Sequence, residues 1–97
     1  EWFSKWGAMV PDQFTKAFHC LMHRDDITER LAEITCPALI VHGTADVAIG
    51  MDRAEVLRDS LAGPTTLVAI EGGPHAANMT HAEPVNAAIL QFLGSLA

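Results

Sequence analysis

Two short, continuously apolar runs constrain this chain more than anything else in it: Ala38-Leu39-Ile40-Val41-His42, closed by Gly43, and Thr66-Leu67-Val68-Ala69-Ile70. A strand wetted on one face alternates apolar and polar residues. One that is apolar throughout is covered on both faces, as in a parallel sheet flanked by helices. Between the runs, Met51, Ala54, Leu57 and Leu61 recur at helical steps, and Gly63-Pro64 ends that helix. After the second run, Val85, Ala88, Ile89, Phe92, Leu93 and Leu96 fall on one helical face, with Pro84 in the first turn. From residue 38 onward the order is strand, helix, strand, helix, which makes the strands parallel and the crossover right-handed. Two such strands cannot bury both faces of a sheet. Residues 38–97 are therefore expected to form the edge of a larger α/β domain, its other strands supplied by absent sequence or by a strand-swapped second copy.

Upstream, Phe14, Ala17, Phe18, Leu21 and Met22 predict a helix over 11–23, with Pro11 in its first turn. Grouped with Trp2 and Trp6, its aromatic residues suit either a lid over an apolar pocket or plain core packing. Asp26-Ile27-Thr28-Glu29 has capping-box spacing and starts a short helix expected to bury Leu31 and Ile34, ended by Pro37.

At 97 residues, 49% hydrophobic and 19% charged, the chain is one ordinary domain or part of one, too apolar for a disordered segment. Its net charge of −6, with six basic residues scattered from Lys5 to Arg58, argues against a nucleic-acid partner. No apolar run approaches the ~20 residues of a membrane span, so no membrane partner is expected. The N-terminus has neither the pattern of a signal peptide nor an initiator Met, which fits a piece cut from a longer chain. Cys20 and Cys36 make neither a disulfide framework nor zinc-ligand spacing, pointing to a reducing, cytoplasmic compartment.

Sites in open α/β sheets collect where strands end, so the chemistry is sought after Val41 and after Ile70. The first loop, Gly43-Thr44-Ala45-Asp46, carries an acid; the second, Glu71-Gly72-Gly73-Pro74-His75-Ala76-Ala77-Asn78, carries an imidazole. A carboxylate beside a histidine fixes the tautomer that a general base needs. Taken singly, Asp46 is an ordinary turn residue and His75 an ordinary loop histidine; the pairing gives them meaning. Glu71 is the substitute acid, and Asn78 is expected to cap the turn that follows. His42 is read as packed or hydrogen-bonded, and His23 and His81 as facing solvent. A metal set of His75, His81 and Asp46, assisted by Asn78, has suitable chemistry, but nothing fixes three ligands in one direction. No metal and no cofactor is expected.

The two strand-and-loop segments, residues 37–46 and 68–78, resemble the C-terminal part of the α/β-hydrolase superfamily, in particular its small esterase, enol-lactonase and haloperoxidase-like group. The amphipathic helix near the end stands where that family has one. The 29-residue separation of Asp46 and His75 agrees with the family's acid and histidine loops. The resemblance implies an α/β fold in which residues 1–35 are a cap-type helical segment and linker, and residues 36–97 the C-terminal β-α-β-α edge of the core. It further implies Asp46 as triad acid and His75 as general base in hydrolysis of a small-molecule ester or lactone through an acyl-enzyme. The family's Gly-x-Ser-x-Gly elbow is absent: Ser4, Ser60 and Ser95 lack the flanking glycines. The nucleophile is thus expected from upstream sequence, and this chain alone is expected to be inactive. Pro74 stands where the family has a small residue, which stiffens the loop and pushes Gly73 toward extended backbone. The alternative is a noncatalytic interaction domain that keeps a hydrolase-like edge for packing.

Overall fold

A computed structural model describes residues 1–96; Ala97, the last residue of the expected C-terminal unit, lies outside the described residues. The elements in order are α1 (Trp2–Gly7), α2 (Pro11–His23), a 3₁₀ helix (Thr28–Glu33), β1 (Ala38–Gly43), α3 (Met51–Ser60), β2 (Thr65–Ile70), α4 (Ala77–Thr80) and α5 (Ala82–Ser95). Helices combine with a small parallel sheet, which is an α/β arrangement.

The two apolar runs become the two strands, paired in parallel from Ala38 opposite Thr65 to Gly43 opposite Ile70. Among the described residues β2 is β1's one strand neighbour, and Ala38 to His42 are only half-buried. Helix α3 follows its spacing: Ala54 is buried, Met51, Leu57 and Leu61 are half-buried, and Val56 on another face is exposed. Ile70 at the end of β2 forms a small core with Ala77 of α4 and Val85 of α5, against which Val41 and Val68 pack. Leu31 is buried on the 3₁₀ helix, which packs on α3. The carbonyl of Ile34 accepts from the N–H groups of Ala62 and Gly63, both at 3.1 Å, tying that segment to the end of α3.

Several local expectations need correcting. Trp2 and Trp6 lie on α1, separate from the helix of Phe14 and Phe18, and no residue of α1 or α2 is buried. The capping-box segment does start a short helix, but it is 3₁₀ and not α, and Asp26 stands one residue before its N-cap position Ile27, its Oδ1 accepting from the N–H of Thr28 at 2.9 Å and from its hydroxyl. Ile34, just beyond the 3₁₀ helix, is exposed instead of buried. On α5 the inward stripe is Val85, Ala88 and Phe92, while Ile89, Leu93 and Leu96 are exposed, because a two-stranded sheet covers only a narrow strip of the helix.

Candidate active site

The parallel register brings the ends of β1 and β2 side by side, and a set of short bonds then joins the loops that follow them. Thr44 N–H donates to Ile70 O at 3.0 Å and Ala45 N–H to Gly73 O at 2.9 Å. In return, Gly72 N–H donates to the Thr44 hydroxyl at 2.8 Å. Two glycines make this fit. A Cβ on Gly43 would stand 2.0 Å from Gly73 O and 2.7 Å from Pro74 O, so only a residue without one lets the loops approach. Gly72 has φ +71°, the left-handed region that side chains disfavour.

Within this frame His75 Nδ1 donates to Asp46 Oδ2 at 2.9 Å. The Asp46 side chain is 5% exposed and that of His75 is 63% exposed, so the carboxylate is sheltered while the ring is open to solvent. The other oxygen, Asp46 Oδ1, accepts from the N–H groups of Ala48 and Ile49, both at 2.9 Å. These bonds hold the Asp46 carboxyl below the ordinary aspartate range: the Ile49 N–H does most, burial opposes, and the His75 and Ala48 bonds add to the lowering. An ionised carboxylate only accepts, so Nδ1 of His75 carries the proton and Nε2, at the opposite end of the ring, has a lone pair to offer. Pro74 does not misdirect the ring. Its missing N–H is used by none of the bonds that join the loops, and its carbonyl packs against Gly43.

The remaining candidates fall into place around this pair. His42 is half-buried, and its Nε2 is 2.9 Å from Ile49 O, in keeping with a hydrogen-bonded histidine. Glu71 is exposed, and no hydrogen bond joins it to His75 among the described residues. Asn78 caps nothing: it lies inside α4, whose N-cap position is Ala76, with no side-chain cap bond. His81 is half-buried, not solvent-facing; its Nδ1 is 2.8 Å from the Thr80 hydroxyl, at the junction of α4 and α5. His23 is exposed, and its ring stands 4.2 Å from that of His19 one helical turn earlier. That pairing is legible in the sequence as a four-residue spacing. Two imidazoles do not complete a site, and among the described residues no group of three or more His, Cys, Asp or Glu side chains is placed to hold a metal ion.

The hydroxyls of Ser60 and Ser95 donate to Val56 O and Phe92 O, both at 2.6 Å, within their own helices. Neither is joined to the His75 ring. Cys20 and Cys36 are free and exposed. An open cleft of about 390 Å³ adjoins the pair, lined by His75 and Asp46 and by apolar side chains including Ile40, Leu57 and Val85. Among the described residues no helix is long and apolar enough to cross a membrane.

Compared with known proteins, the chain is 38% identical over 68 residues to a "Putative non-heme chloroperoxidase" of Synechocystis sp., covering 70% of this chain and 25% of that protein. It is 36% identical over 70 residues to a non-heme chloroperoxidase of Streptomyces lividans, covering 72% of this chain and 25% of that protein. Both relatives belong to the α/β-hydrolase superfamily. The chain spans about a quarter of the length of these curated relatives. No family model matches it, and no solved structure matches it significantly.

Proposed function

We propose that the chain is the C-terminal portion of an α/β-hydrolase, in which Asp46 is the triad acid and His75 the general base. The observation that carries this reading is the 2.9 Å bond from His75 Nδ1 to the sheltered Asp46 carboxylate, which leaves the base nitrogen on the open side of the ring. The two chloroperoxidase relatives support the family. Residues 1–35 then serve as a cap-type segment and residues 36–97 as the last part of the core, in which the edge of β1 away from β2 pairs with a strand from upstream sequence or from a second copy. The cytoplasmic reading rests on cysteine usage alone.

In this mechanism a serine from upstream attacks the carbonyl carbon of a small ester or lactone, and His75 Nε2 takes the serine proton as the bond forms. Collapse of the tetrahedral intermediate expels the alcohol, which takes that proton back, and leaves an acyl-serine. Water then attacks the acyl carbon while His75 again accepts a proton, releasing the acid and restoring the serine. Asp46 keeps Nδ1 protonated and stabilises the imidazolium formed in each half. The relatives' names favour a second use of the same pair, with hydrogen peroxide instead of water accepting the acyl group.

A fluorophosphonate probe and a chromogenic acetate ester test the reading on the full-length protein. Probe labelling and hydrolysis are expected, and His75→Ala is expected to lower kcat by about 10⁴-fold or more. Undiminished turnover in His75→Ala overturns the assigned base. Absence of both labelling and turnover favours the noncatalytic domain, and labelling of the 97-residue chain alone would place a nucleophile within it.

A further inference from the structure

The loop that carries Asp46 closes on itself through the backbone of a single residue, Ile49. Ile49 N–H donates to Asp46 Oδ1 at 2.9 Å, and the carbonyl of the same residue is 2.9 Å from His42 Nε2. A carbonyl oxygen can only accept, so His42 Nε2 bears a proton and donates it. Packing does little to hold this loop: Val47 is fully exposed and Ile49 is 43% exposed. His42, by contrast, is the last residue but one of β1, fixed in the ladder opposite Ala69, with its side chain 14% exposed. The bonds therefore run from a strand, through an imidazole, to the carbonyl of the residue whose N–H grips the carboxylate. His42 Nε2 is 3.7 Å from Asp46 Oδ2, beyond hydrogen-bond reach, and so does not compete with His75 for that oxygen.

We propose that His42 is a positioning residue: by holding the Ile49 carbonyl it fixes the adjoining backbone whose N–H groups orient Asp46, and so aims Oδ2 at His75. This rests on reading Asp46 and His75 as acid and base. The role predicts a loss in the chemical step with little effect on substrate binding; because His42 also lines the cleft beside the pair, a rise in KM without a loss in kcat marks a binding role instead.

The test uses the full-length protein and a chromogenic acetate ester. His42→Phe keeps a ring but removes the donor, and is expected to lower kcat roughly 10- to 100-fold while KM stays within about twofold. His42→Gln keeps an N–H donor and should restore most of the rate, whereas His42→Asn, too short to reach Ile49 O, should resemble His42→Phe. If His42→Phe does not fold, the comparison of Gln with Asn carries the test. Wild-type kcat in the Phe and Asn variants, or a Gln variant as slow as Asn, overturns the positioning role. With His75→Ala assayed in parallel, loss there and none in the His42 variants sinks this inference alone, while full activity in His75→Ala sinks the acid-base reading with it.

Discussion

Residues 1–27 and residues 28–96 are both amphipathic, yet they meet opposite fates. Helices α1 and α2 contain no buried residue, although α2 has regular apolar spacing and Phe14 and Phe18 stack with centroids 6.3 Å apart. Those two rings remain 59% and 54% exposed, because a contact between neighbouring turns of one helix hides only one side of each. In the later region Ile70 is 3% exposed, since α4 and α5 close over it from sequence that follows the strand. Local periodicity is enough to make a helix. Burial needs a second surface, and parallel strands with their crossover supply one.

The sharpest way to break this contrast is at the approach of the two site loops. Gly43→Ala places a Cβ against two backbone carbonyls that no side-chain rotation can move, so β1, β2 or the loops must shift. A destabilisation of about 3 kcal/mol is expected, at the upper end of what overpacking costs. Loss of the His75 Nδ1–H resonance in proton NMR should accompany it; a variant with that signal and the midpoint of urea unfolding unchanged would contradict the fit. Next in size, Ile70→Ala should cost about 2 kcal/mol, the low end for a buried truncation because the core around it is small, whereas Phe14→Ala should stay within about 0.5 kcal/mol in the 97-residue chain. In the longer hydrolase proposed above, a cost of Phe14→Ala approaching that of Ile70→Ala would mean that further sequence covers α2.

The same contrast explains what was legible in the sequence. The strands, α3 and the pairing of Asp46 with His75 across 29 residues were readable, because apolar runs set the register and the register sets which loop ends adjoin. Ile34 was misjudged because helical spacing says which residues share a face and not whether anything covers it. The short helix after Asp26 and the burial of Leu31 were legible, whereas its 3₁₀ winding and its start one residue later were not, because an aspartate offers its oxygen to a local turn as readily as to a helix start. The backbone bonds to Asp46 Oδ1 and the His42–Ile49 contact left no trace in composition or periodicity. They depend on the path of one loop, and a spacing of seven residues between a histidine and a carbonyl carries no signal.

The smallest expected effect compares one carboxylate from each region. Asp26 and Asp46 are both held below the ordinary aspartate range, Asp26 by the hydroxyl and N–H of Thr28, and Asp46 chiefly by the Ile49 N–H with help from His75. A carboxylate whose folded value is depressed stabilises the fold above its unfolded value, and that contribution is lost as pH falls through the folded one. Both contributions should therefore be complete above about pH 4 and fade below it. The bonds of Asp26 reach only a residue two positions away, so its protonation releases one turn. Those of Asp46 join the loops after β1 and β2, so its protonation separates two elements of the fold. Acid unfolding followed by circular dichroism should show the difference: Asp46→Asn should flatten the loss of stability below pH 4, and Asp26→Asn should barely change it. Equal flattening by the two variants would mean that the bonds between the loops contribute no more than a local turn.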